Sequence, residues 1–224
     1  YMEKIIQVGF EIPKVESKKL KELLEIELHS ILKATSMIEL FESQHSRWDA
    51  IYRSGASHFL GTMRDIKRFT SNLGFYLNMF RNGARPEINP VDLAAIQILA
   101  IFEPGVYHRV HTSKGPLTTD YHHSSTDEGR AEKSDLLLNH ITSPAGEDNR
   151  SPLDNILKEL FPILNVGHLG MINSTETNDS ILRNLRICDR IFFDRYFHLD
   201  IQNDDISQNE LLALFELAHD RERL

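Results

Sequence analysis

A chain of 224 residues with 41% hydrophobic and 26% charged residues is long enough to bury a core and has the mix of a soluble globular protein, which excludes wholesale disorder. Its formal net charge of −8 excludes a surface that grips nucleic acid throughout, although a local basic patch is compatible with it. One cysteine, Cys188, allows no internal disulfide and no cysteine-rich zinc site, and fits a reducing compartment; no apolar run approaches the roughly 18 residues of a membrane span.

In chain order, Lys4–Phe10 (KIIQVGF) is β-branched and apolar and reads as one short strand that Pro13 stops. No second convincing strand follows, so its sheet partners are expected upstream of Tyr1. From Ser17 to Lys33 the positions Leu20, Leu23, Leu24, Leu28, Ile31 and Leu32 form one stripe of an amphipathic helix. Helices are also expected over Trp48–Gly55 and Thr62–Phe80, with a break or bend between Gly55 and Gly61. Asn89 caps and Pro90 opens a further helix whose residues Val91–Phe102 are apolar on nearly every side, which predicts the deepest burial in the chain.

Glu103-Pro104-Gly105 ends that helix, Val106–Val110 makes one further turn, and Lys114-Gly115-Pro116 reads as a breaker and loop. The polar stretch Thr118–Ala131 predicts exposed loop or frayed helix, and Ser143–Ser151 is a second polar stretch. Pro152 then opens an amphipathic helix through Leu153, Ile156, Leu157, Leu160 and Phe161, followed by a connector over Asn165–Asn178. Ser207 with Glu210 is a capping-box pattern for a last helix carrying Leu211, Leu212, Leu214, Phe215 and Leu217. The fold class is therefore mainly α: an irregular helical bundle with one short N-terminal strand.

The densest constellation is Arg64-Asp65-Ile66-Lys67-Arg68-Phe69, extended by Asn72. Arg64, Lys67, Arg68 and Asn72 share much of one helix face, while Ile66, Phe69 and Leu73 favour the other. Guanidinium groups bind phosphate through paired donors and a lysine adds a mobile point charge, so this face suits an anion such as a nucleotide's terminal phosphates. Taken alone, a solvated basic face is the plainer reading.

Three stretches carry a family resemblance. Tyr1–Val8 with Phe10 and Pro13 resembles the segment that leaves the ATPase sheet in the KAP family of P-loop NTPases. Thr62-Met63-Arg64-Asp65-Ile66-Lys67-Arg68-Phe69 resembles that family's helical-lid motif, and Arg186-Ile187-Cys188 through Phe193-Asp194-Arg195-Tyr196-Phe197 resembles its later block. Gly9 stands where the family's strand-exit segment has proline.

The resemblance implies the C-terminal part of a KAP-type ATPase, acting as nucleotide-responsive lid and partner-binding region. Arg64 would be a second-sensor arginine reaching ATP, with Lys67 and Arg68 supporting it or contacting another subunit. No G-x-x-x-x-G-K-[ST] loop and no acidic strand end for magnesium occur in the sequence. ATP and Mg²⁺ are therefore expected in a full-length parent, which would be the ATPase, with no catalytic residue and no tightly bound cofactor in these 224 residues. The organisation implied is a strand and exit segment over 1–15, a helical lid-like region over 16–117, a polar loop or insertion over 118–151 and a C-terminal helical region over 152–224. The relatives so resembled are associated with membranes or with bacterial defence against phage. Accordingly the expected location is cytoplasmic, or peripheral to a membrane through other segments, with an unidentified protein partner, room for a homo-oligomer and no nucleic acid.

Other residues bear weaker chemistry. His108, His111, His122 and His123 with Asp120 or Asp127 allow a metal site to be drawn, but the spacing matches no zinc signature and surface histidines are the plainer reading. Cys188 reads as a small core residue rather than a nucleophile. Phe192, Phe193, Tyr196 and Phe197, interleaved with Arg190 and Arg195, read as core packing rather than a base-stacking platform. The reading from a different class is a non-catalytic helical module that binds a protein.

Overall fold

The computed structural model describes residues 15–80, 86–118, 127–165 and 177–198, with side chains of the third stretch described from Gly129 onward. The strand expected over Lys4–Phe10, the helix expected from Ser207, and Asp120, His122 and His123 lie outside these residues. Within them the architecture is helical, with no strand.

Helix α1 (Ser17–Ala34) buries Leu20, Leu24, Leu28 and Leu32, a stripe set by spacing of four residues. It ends where Ser36 takes a left-handed φ of 61° and the Met37 N–H returns to the Leu32 carbonyl at 2.9 Å. Short α2 (Ile38–Ser43) and α3 (His45–Ile51) follow, and α3 runs directly into a π-helical turn, Tyr52–Ala56, and α4 (Ser57–Phe59). The bend expected between Gly55 and Gly61 is thus a widened helical turn, and the chain leaves the helix only after Phe59.

Gly55, within this turn, is where another helix comes closest to it. A Cβ built there would stand 2.4 Å from the Pro152 carbonyl oxygen and 2.6 Å from Ile156 Cγ1, so only glycine lets α10 (Glu147–Leu160) lie this close. The Ser54 carbonyl accepts from Asn155 Nδ2 at 2.9 Å across the same contact.

Helix α5 (Met63–Met79) is capped by Thr62 and buries Ile66, Phe69, Thr70, Leu73 and Leu77. Helix α6 (Pro90–Phe102) is sheathed on all sides, as its composition predicts, and Asn89 Oδ1 accepts from the N–H groups of Val91 and Asp92 at 2.9 and 3.1 Å. Arg68 of α5 touches Ile101 near the end of α6, and only a short connection separates Phe80 from Pro90, so α5 and α6 run in opposite senses.

Beyond α6 the structure is more helical than the punctuation residues suggest. The one further turn expected at Val106–Val110 is α7 (Pro104–Thr112), and the expected breaker is itself α8 (Lys114–Leu117), because Pro104 and Pro116 sit in first turns where a missing N–H costs little. Helix α9 (Asp127–Thr142) begins within the stretch 118–131 that reads as exposed loop or frayed helix, and continues past it. Helix α10 starts at Glu147, with Glu147 and Asp148 complementing its N-terminal dipole and Pro152 inside it rather than at its start. Its buried stripe, Leu153, Ile156, Leu157 and Leu160, is the one the spacing gives. A 3₁₀ turn (Pro162–Leu164), α11 (Asn178–Arg183) and a second 3₁₀ turn (Phe193–Tyr196) complete the described chain.

Candidate functional site

Thr62 Oγ1 accepts from the Asp65 N–H at 3.2 Å and donates to Asp65 Oδ2 at 2.7 Å, which fixes the first turn of α5 and the direction in which Arg64 leaves it. The structure does not gather the expected cations at one point. Lys67 Nζ lies 2.6 Å from Glu27 Oε1 and ties α5 to α1. Arg68 Nη2 donates to the Ile101 carbonyl at 3.2 Å, with its guanidinium 5.7 Å from the centre of the Phe102 ring. There it meets the negative end of the α6 dipole. Arg64 is exposed and makes no hydrogen bond or ion pair with any described residue.

One turn below Arg68, Asn72 Oδ1 is buried and without a hydrogen-bond partner among the described residues, and so are both amide atoms of Gln97 on α6. The Arg68–Ile101 contact sets the register of the two antiparallel helices: four residues forward on α5 from Arg68 is Asn72, and four back on α6 from Ile101 is Gln97. The seam beneath the basic face thus holds two amides with unmet donors and acceptors.

A second polar centre lies deeper. Asp92, wholly buried on α6, accepts from Arg186 Nε at 2.8 Å and the Ile187 N–H at 2.9 Å through Oδ2, and from Arg47 through Oδ1. Burial pushes its carboxyl up, but the Arg186 and Arg47 guanidiniums and the Ile187 N–H outweigh that and hold it below the usual carboxylate range. Arg186 also donates to the carbonyls of Glu159 and Leu160 at 3.0 and 3.3 Å. Beside it, Arg195 pairs with buried Glu87 at 3.2 Å. The Tyr196 hydroxyl accepts from the Asn89 N–H at 2.8 Å and donates to the Leu185 carbonyl at 2.5 Å.

Through these contacts Arg186, Arg195 and Tyr196 clasp the start of α6, which is a structural role. Phe192, Phe193, Tyr196 and Cys188 are buried, the packing role expected of them. Asp92, Glu87 and Arg47 escaped the sequence reading, although an aspartate inside a helix apolar on every other side was a signal for a buried ion pair. Among the described residues no group of three or more His, Cys, Asp and Glu side chains could hold a metal ion. His111 instead stacks on Phe197 at 4.6 Å between centroids, and burial together with His198 lowers its pKa.

Residues 1–80 match the KAP family P-loop domain. Over that stretch, somewhat more than a third of its length, the chain is similar to the KAP family. No curated protein and no solved structure matches it. The KAP match takes in α1 to α5, and so includes Arg47, Arg64, Lys67 and Arg68, whereas Asp92 itself and the block from Arg186 to Phe197 lie beyond it. No helix among the described residues is long and apolar enough to cross a membrane.

Proposed function

We propose that this chain is the nucleotide-responsive lid and partner-binding region of a KAP-type P-loop ATPase, with Arg64 the residue that reaches the nucleotide. The observation that carries the reading is the contrast within one motif: Lys67 and Arg68 are engaged by Glu27 and by the end of α6, while Arg64, on a capped first turn inside the KAP match, is exposed and unpaired among the described residues. An arginine without a partner on a rigid helix end is suited to a planar, bidentate phosphate contact. Lys67 and Arg68 hold α5 against α1 and α6 and so keep Arg64 in place.

The chemistry of the donors fits ATP only in part. Arg64 would hold terminal phosphate oxygens, but the glycine-rich loop and the magnesium ligands are not in this sequence, so those come from elements outside the 224 residues. Bound ATP with Mg²⁺ would supply the transferable phosphoryl group. The part of this chain is to orient one cation toward it and to carry the resulting displacement of α5 into α6.

The test is ATP hydrolysis by the full-length protein and its Arg64→Ala variant. A second-sensor arginine predicts a fall in kcat of at least about tenfold with the helical content unchanged. Equal kinetics would remove Arg64 from the nucleotide site, and absence of nucleotide binding in the intact protein would favour the non-catalytic interaction module.

A further inference from the structure

Helices α1, α2 and α3 enclose a cleft of about 200 Å³ that the lid reading does not use. Its floor is apolar, made by Leu24, Leu28, Leu32, Phe41 and Trp48, all buried. The polar lining is predominantly acidic: Glu25, Glu42 and Asp49 stand with one ammonium, Lys21, and two imidazoles, His29 and His45, of which His45 Nδ1 lies 3.9 Å from Asp49 Oδ2. Lys21 lies to one side, its Nζ 3.5 Å from Glu25, 3.7 Å from Asp49 and 5.7 Å from the centre of the Tyr52 ring. Glu42, on the α2 wall, makes no ion pair with any described residue.

The volume decides the class of occupant. Sites for nucleotides and drug-sized ligands run from roughly 300 Å³ upward, so this cleft suits a single long side chain. An apolar floor beneath a ring of carboxylates matches a side chain with an aliphatic stem and a cationic head. Lys21 already shows the mouth holding such a head by two carboxylates and an aromatic face.

We propose that this cleft is a docking site for a partner protein, which inserts a lysine or arginine side chain between α1 and α2 with its aliphatic stem on the apolar floor. The proposal rests on the partner-binding half of the reading above and names its surface. It involves no nucleotide, so its failure leaves the role of Arg64 standing.

The chain's single tryptophan, Trp48, lines the floor and reports occupancy directly. The probe is a short amphipathic Lys/Leu peptide titrated against the whole chain, with a Glu/Leu peptide and spermine as comparisons. Expected is a saturable change in Trp48 emission with the Lys/Leu peptide alone. Replacing Glu25 and Glu42 by Gln together should weaken it by about fivefold to tenfold, as for two partly exposed ionic contacts. Neutralising Glu132 and Asp135, far away on α9, should leave the affinity within about twofold. Equal weakening by both double variants would reduce the effect to attraction by an acidic protein, and an equal response to spermine would make the cleft a simple cation site. Either result, or no saturable change, overturns the proposal.

Discussion

Asp92 joins α3, α6 and the C-terminal segment through buried polar contacts. It sits on a helix whose other side chains are nearly all apolar, and it satisfies both carboxylate oxygens with two arginines and a backbone N–H. Removing one member of a buried ionic group leaves the others charged in a poor dielectric, so Asp92→Ala is expected to cost about 3–5 kcal/mol in denaturant unfolding. The pH dependence follows from the direction of the shift. Because the folded carboxyl lies below its unfolded value, its contribution is complete above the unfolded pKa and fades as pH falls through the folded one. Wild-type stability should therefore drop on acidification below the ordinary aspartate range, and the Asp92→Ala variant should show a flatter acid limb in the same experiment.

At the scale of elements, two backbone features set how helices end and meet. Ser36 adopts a left-handed conformation to close α1, at an exposed position where its side chain contributes little packing. Ser36→Gly should raise stability by about 0.5–1 kcal/mol, read as a higher melting temperature, since glycine takes that conformation without the steric cost. Gly55 is the opposite case. Its contact with the Pro152 carbonyl leaves no room for a methyl group, and Gly55→Ala should destabilise by about 1–3 kcal/mol by forcing α10 away from the π-helical turn. A melting temperature equal to wild type would mean that α10 can shift without cost.

For the whole molecule, the polar centre links parts of the chain that are far apart in sequence. Arg47 to Asp92 spans 45 residues, Asp92 to Arg186 spans 94, and Arg195 to Glu87 spans 108. The α3, α6 and C-terminal segments should therefore unfold together. A chain ended after Asn165 lacks Arg186, Arg195 and Tyr196, leaves Asp92 with Arg47 alone, and is expected to lose the sharp thermal transition followed by circular dichroism. An unchanged transition would show that the first helices are stable without the clasp.

Periodicity and capping alone determined the helical class, the stripes of α1, α5 and α10, and the buried, Asn89-capped α6, because those are properties of neighbouring residues on one helix face. The basic motif from Arg64 to Arg68 was legible for the same reason. Its division into Lys67 held by Glu27, Arg68 held by α6 and Arg64 left exposed was not, since each outcome depends on a helix remote in sequence. Punctuation residues misled where tertiary packing overrode them: Pro152 lies inside α10, and Gly55 sits within a π-helical turn instead of ending the helix. Only the tertiary structure decided that Arg186, Arg195 and Tyr196 brace the fold and that α1 to α3 leave an acid-rimmed cleft. Ion pairs and cavities arise between elements, where no local pattern records them.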